Sequence, residues 1–294
     1  MAPEWTEAAV MPEGDTIFRS AVAQHAALAG KVITGVRTSV PQVQRLLPQR
    51  LAGQEVARVE SRGKHLLHWF APSDLALHTH MRMTGSWHLY PPGARWRKPA
   101  RLARLVLSTT ELNAVAFSVP VVELLSAAQV AQHPSLATLG PDPLAYGAVG
   151  PVDLGRAERT LLSLADRPIG EALLDQRVLA GVGNVYKNEV LFIHAVDPWA
   201  LVGDLGQNTL SGLLHTASDL LRANVAHGGS HRITTRRPAD VRRSPMRSSD
   251  AVWVYGKAGR GCPRCGQTIR VASQGEHARV TYWCPGCQGP GPGG

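Results

Sequence analysis

Two short cysteine pairs constrain this chain more than any other feature. Cys262-Pro-Arg-Cys265 is followed, after an eighteen-residue insert, by Cys284-Pro-Gly-Cys287. Paired C-x2-C knuckles at this separation put four thiolates on one tetrahedral Zn2+, with Zn–S distances of about 2.3 Å. Iron–sulfur ligation or redox use is the alternative reading of the same spacing. Four thiolates leave no open coordination position, so the single expected zinc is structural and not catalytic. It organises a segment too small to build an apolar core of its own. All four cysteines lie within the last 33 residues, and none is left for a disulfide framework. That usage points to a reducing cytosol.

The 294 residues suffice for two or three domains, and 44% hydrophobic residues allow a packed core. The formal charge of +9 argues for a polyanionic partner. Nucleic acid is the first candidate, because no basic amphipathic anchor for a membrane surface stands out. From His231 onward there are 11 Lys/Arg against three acids. A charge run alone is more often a solvated tail; the cysteines in the same stretch reverse that preference. Between them, Gln267–Trp283 has the length of a hairpin and carries Arg270, His277 and Arg279. No run approaches the ~18 apolar residues of a membrane span. Met1–Val10 carries Glu4 and Glu7 and does not read as a secretory signal. The expected location is cytoplasmic, associated with the nucleoid.

Along the chain, residues 1–11 read as an extension outside the fold. Asp15 is placed to cap a helix over Thr16–Leu28 that Gly30 stops. Short strands are expected at Lys31–Thr38, Glu55–Glu60, Leu66–Phe70, Leu75–Met81, Ser86–Tyr90, Leu102–Ser108 and Asn113–Val119. A turn at Ser61–Lys64 separates the second and third. Regular short strands predict a sandwich or barrel. From about Pro151 the period becomes helical, with helices at Ile169–Gln176 and Val185–His194. A longer one carries the stripe Leu210, Leu213, Leu214, Ala217, Leu220 and Leu221. The predicted divisions are 12–130, a helical domain at 131–250 with an Arg-rich, mobile loop at 227–250, a metal-stapled unit at 251–288 and a flexible tail at 289–294.

Four separated segments together resemble the Fpg/Nei (formamidopyrimidine-DNA glycosylase/endonuclease VIII) family. They are Met11-Pro-Glu-Gly14, Ser61-Arg-Gly-Lys64, Leu174-Asp-Gln176 with Leu179-Ala-Gly-Val-Gly-Asn184-Val-Tyr-Lys-Asn-Glu189, and Val254 through Gln288 with both cysteine pairs. Any one is a weak signal; in this order they cover nearly the whole chain. The resemblance implies an α+β, multidomain fold. Its parts would be an N-terminal β-sandwich flanked by a helix, a helix–two-turn–helix domain and a C-terminal zinc-finger β-hairpin. The implied activity is excision of oxidised bases followed by strand nicking, performed by a monomer on damaged double-stranded DNA lying between its two halves.

The same resemblance assigns roles to individual residues. Pro12 matches the family's N-terminal proline, whose secondary amine attacks the deoxyribose and leaves an iminium. Glu13 matches the carboxylate that shuttles protons beside it. Lys64, Asn184 and Arg279 match the groups that hold phosphates around the flipped nucleotide. Met83, in His80-Met-Arg-Met-Thr-Gly85, matches the wedge that fills the hole left in the duplex. Cys262, Cys265, Cys284 and Cys287 are the zinc ligands. Outside this pattern, Pro12 would be a helix-entry residue, Glu13 a charge at a helix N-terminus, Lys64 a solvated turn lysine and Met83 a core methionine. The arginine and phenylalanine that partner the wedge in the Fpg branch are not visible around Glu111–Pro120.

The sequence departs from the family at its start. Eleven residues precede Pro12, and an amide-bonded proline has no nucleophilic lone pair. The expectation is a native start at Met11, whose removal exposes the amine. Gly14, where the Fpg branch more often has leucine, leans towards oxidised pyrimidines. Oxidised purines are the alternative, and a non-catalytic zinc-finger DNA-binding protein is the reading if the N-terminus stays blocked.

Overall fold

The computed structural model describes residues 12–45, 47–145, 152–226, 233–236, 240 and 250–292. The proposed extension at 1–11, most of the Arg-rich loop and the last two residues lie outside them. The chain divides into two compact units, the first ending at Ala137 and the second beginning at Thr138.

Unit 1 opens with helix α1 (Gly14–Leu28). The expected cap shifts by two residues: Glu13 occupies the extended cap position, and Asp15 lies inside the first turn. There Asp15 accepts from Arg19 one turn on, at 2.9 Å, so its carboxylate serves the helix interior instead of its entrance. Gly30, at φ 77°, follows the helix end. The next strand, β1 (Gly35–Thr38), is shorter than predicted. The chain first bonds to one sheet (Ile33 N–H to Gln54 O, 2.9 Å) and then to the other (Thr34 N–H to Ser108 O, 2.8 Å). A segment that changes sheets cannot be one continuous strand.

Two short helices follow, α2 (Pro41–Gln44) and α3 (Leu47–Leu51). Then come β2 (Glu55–Arg62), β3 (His65–Ala71), β4 (Leu75–His80), β5 (Ser86–Tyr90), β6 (Ala103–Ser108), β7 (Asn113–Phe117) and β8 (Val121–Ser126). They form two antiparallel four-stranded sheets, in the orders β2-β3-β4-β8 and β1-β6-β7-β5. Strand β8 was not predicted, because its adjacent leucines and Glu123 break the alternation that marks a strand. An aliphatic core including Ile17, Leu28, Val59, Leu66, Leu77, Leu105 and Ala116 unites α1 with both sheets. Helices α4 (Ala127–Gln132), with a Ser126/Gln129 capping box, and α5 (Pro134–Ala137) close the unit.

Unit 2 contains α6 (Leu154–Leu162), α7 (Ile169–Ala172), α8 (Asn184–Ile193) and α9 (Gln207–Ala226). Helix α7 stops earlier than predicted, and Gln176 beyond it braces the following turn. Gln176 Nε2 donates to Val182 O at 2.9 Å, and its Oε1 accepts from Gly181 N–H at 3.1 Å. Gly181 takes φ 93°, which favours glycine. The unit ends with the antiparallel hairpin β9 (Arg270–Gln274) and β10 (Arg279–Trp283), then α10 (Pro285–Gln288). Among the described residues no helix is long and apolar enough to cross a membrane.

Candidate functional site

In unit 1, Pro12 is half-buried and Glu13, directly before α1, is 1% exposed. Lys64 occupies a tight turn. Arg62 pairs with His65, so only Gly63 and Lys64 connect β2 to β3. Gly63 is at φ 55°, matching the first central position of a type II′ hairpin turn and fixing where Lys64 stands. Arg62 remains in the strand, so the turn is shorter than the predicted Ser61–Lys64.

Met83 is 53% exposed, whereas Met81, two residues earlier, is buried in the core. The backbone between them is tightly held. Gly85 N–H donates to Met81 O at 2.9 Å, and Arg82 N–H donates to His80 Nδ1 at 3.1 Å. A Cβ on Gly85 would lie 2.6 Å from Met81 O, so only glycine closes this turn. Thr84 adds a bond from its hydroxyl to Ser118 O at 3.3 Å.

Histidines surround the Lys64 end of the sheet. Burial lowers His65 to about 2, with His80, His78, His133 and Lys64 adding repulsion. Burial and then Lys64 lower His80 to about 4. These rings are therefore neutral at neutral pH and add no cation beside Lys64.

In unit 2, Asn184 begins α8 and donates from Nδ2 to Val280 O at 2.8 Å. Arg279 is the residue before Val280 and the first of β10, so this bond brings the two predicted phosphate ligands into one neighbourhood. An amide NH2 carries two hydrogens, and this bond uses one of them. Two further ties run between α8 and β10: Lys187 Nζ to Thr281 Oγ1 at 2.7 Å, and Tyr282 N–H to Asn188 Oδ1 at 2.6 Å.

The residue that sequence reasoning missed is Glu189. It is fully buried, and its carboxylate accepts from the N–H groups of Trp253, Val254 and Tyr255 at 2.5, 2.8 and 2.9 Å and from the Thr235 hydroxyl. It lay inside a recognised motif, but nothing in the spacing reveals partners some 64 positions away. At the far end of α8, Arg264 donates to Phe192 O at 2.7 Å and Ile193 O at 3.0 Å. A cation on the last carbonyls complements the helix dipole, and this one sits inside the first cysteine pair.

The four thiols converge. Their sulfurs lie within 4.8 Å of one another, with Cys262–Cys287 at 3.8 Å and Cys265–Cys284 at 3.3 Å. Tetrahedral Zn–S bonds of ~2.3 Å require S···S distances of about 3.8 Å, so the donor set fits a zinc ion. Cys265 is lowered to about 7, first by the Gln267 backbone N–H, while burial raises Cys284 and Cys287. A bound cation would favour the thiolate at all four.

Comparison with known proteins places this architecture. Residues 11–120 match the formamidopyrimidine-DNA glycosylase N-terminal domain, and residues 139–236 match the formamidopyrimidine-DNA glycosylase H2TH domain. A Streptomyces coelicolor protein named "Probable endonuclease 8 2" is 42% identical, with 96% of each chain covered. The Mycolicibacterium smegmatis "DNA-(apurinic or apyrimidinic site) lyase Nei2" is 39% identical over 95% of this chain and 99% of its own. An Escherichia coli endonuclease 8 is 33% identical over 95% and 100%. Among solved structures, Lactococcus lactis Fpg bound to DNA with an abasic site is similar at TM-score 0.76 and 25% identity, covering 94% of this chain and 98% of that one. The chain belongs to the formamidopyrimidine-DNA glycosylase family. The α+β organisation of sandwich, helical domain and cysteine-bearing hairpin is the one the sequence predicted.

Proposed function

We propose that this protein is a bifunctional DNA glycosylase and abasic-site lyase of base excision repair, acting on oxidised bases, pyrimidines foremost. The reading is carried by the Pro12–Glu13 pair ahead of α1, in a chain similar over nearly its full length to endonuclease 8 proteins and to a named abasic-site lyase. A free Pro12 nitrogen donates its lone pair to C1′ of the damaged nucleotide as the C1′–base bond breaks and the base leaves with a proton. Loss of the amine proton gives an aminal, and Glu13 then protonates O4′ as the C1′–O4′ bond breaks and the sugar ring opens to an iminium. The resulting iminium accepts the electrons released when the C2′ proton leaves, and the 3′ phosphate departs, followed by the 5′ phosphate. Lys64, Asn184 and Arg279 hold phosphates, and Met83 fills the space of the extruded base. One zinc on Cys262, Cys265, Cys284 and Cys287 has a structural role, setting the hairpin that carries Arg279.

This chemistry requires that residues 1–11 be removed or never made. Gly14, where the Fpg branch more often has leucine, supports pyrimidine lesions. Oxidised purines are the second reading, favoured by similarity at TM-score 0.76 and 25% identity to a MutM structure holding carbocyclic 8-oxo-G DNA. Borohydride trapping on thymine-glycol and 8-oxoguanine duplexes, with chains beginning at Met1 and at Met11, tests the proposal. The shorter chain, with Met11 cleaved, should form a covalent adduct and the longer one should not. Equal trapping by the blocked chain would refute Pro12 as nucleophile, and binding without any trapping would leave a DNA-binding protein only.

A further inference from the structure

On the face of the β2-β3-β4-β8 sheet turned away from the sandwich core, a second group of metal-ligating side chains gathers. It lies wholly in unit 1 and shares no residue with the cysteine cluster. His78 on β4, Glu123 on β8 and His133 between α4 and α5 present ligand atoms within 4.8 Å of one another. We propose that these three residues bind a divalent transition-metal ion of the zinc type, at a second site distinct from the four thiols.

Two imidazoles and a carboxylate are a donor set suited to such ions, and with three protein ligands water completes the coordination. His78 Nδ1 lies 2.7 Å from Glu123 Oε2, and His133 Nε2 lies 3.2 Å from the same oxygen. Tetrahedral bonds of about 2.0–2.1 Å separate ligand atoms by ~3.4 Å. The His133 side nearly meets that spacing, and the His78 side opens by roughly 0.7 Å. Glu123, with 41% of its side chain exposed, is free to make that movement and gives the ion a way in from solvent. His78 is held from behind: its Nε2 lies 2.8 Å from His65 Nδ1, an arrangement that orients metal-bound imidazoles.

One contact opposes the site and defines the alternative. Ser135 N–H donates to His133 Nδ1 at 3.2 Å. A neutral ring accepting there carries its proton on Nε2, pointed at Glu123. In that state the residues form a closed hydrogen-bonded chain, from His65 Nδ1–H to His78 Nε2, then from His78 Nδ1–H and His133 Nε2–H to Glu123. Metal binding moves the His78 proton from Nδ1 to Nε2, so that His65 shifts its own proton from Nδ1 to Nε2 and accepts. It also moves the His133 proton to Nδ1, which releases Ser135 N–H to water. The ion would then fasten the α4–α5 segment, which ends unit 1, to β4 and β8.

The test uses the full chain, dialysed against Zn2+ and counted by plasma mass spectrometry, with Glu123→Gln and His133→Gln as variants. The wild type should hold two ions, and each variant one. With Co2+ in place of zinc, the first ion should give an intense thiolate-to-metal band. The second should add only weak visible absorption, absent from both variants, and the wild type's melting temperature should rise with free metal more than theirs. A wild type that stops at one ion makes the group a hydrogen-bonded cluster only and overturns the proposal. So does a second ion that survives in both variants, since it is then bound elsewhere.

Discussion

Twenty-one buried hydrophobic residues, all aliphatic but Phe70 and Met81, fill the core of unit 1 among the described residues. The cluster beneath the β9–β10 hairpin has five buried members, two of them cysteines. The sandwich is held by apolar area removed from water, which is insensitive to any single polar contact. The hairpin segment depends on a few strong, directional attachments: four thiols, Glu189, Asn184, Asn188 and Arg264. Unit 1 should therefore lose stability in small portions, and the C-terminal segment in one.

Metal removal should expose that contrast most. Chelation or Cys284→Ser should unfold 251–288, since a structural zinc supplies on the order of 10 kcal/mol to such a segment. Limited proteolysis should cut there while 12–137 stays resistant; equal protection of both would break the comparison. Glu189→Ala should cost about 3–5 kcal/mol by stranding buried donors, in the C-terminal segment. Leu77→Ala should cost about 2–5 kcal/mol in the sandwich. Hydrogen exchange resolved by peptide should place each loss in its own region; a loss shared across both units would mean that they are not held separately.

Acid provides a milder discrimination. His65, His68 and His80 are lowered, by burial first, to about 2, about 3 and about 4. Values below the unfolded ~6.5 mean that their contribution is whole above that pH. It is lost as pH falls towards those folded values, by up to about 1.4 kcal/mol per pH unit for each ring. In unit 2, His194 is lowered too, but is only half-buried. Denaturant midpoints between pH 7 and 4 should fall for the sandwich first. The smallest effect is expected for Arg279→Ala: unchanged stability, with the salt slope of DNA binding reduced by about 0.9 if it neutralises one phosphate. An unchanged slope would remove Arg279 from the interface.

What could be read from the sequence was local in the chain. The convergence of the four cysteines follows from their spacing, and Ser86–Tyr90 was bounded correctly because its turn signals flank it directly. The sheet change at Ile33–Thr34 and strand β8 depend on partners far along the chain, which no window of residues contains. The candidate site divides the same way. Motifs marked Lys64 and Asn184, but not that Asn184 binds the carbonyl next to Arg279. The His65–His78–Glu123–His133 cluster is assembled from four separate segments and left no trace in any of them.

The attachments of α8 also determine what could be transplanted. Its first residue grips β10, its middle answers three amides of 253–255, and its end is covered by Arg264. A graft beginning at residue 251 would carry the knuckles but orphan those amides and the guanidinium. The smallest exchangeable cassette for building chimaeras therefore includes Asn184–Ile193 together with the cysteine-bearing tail.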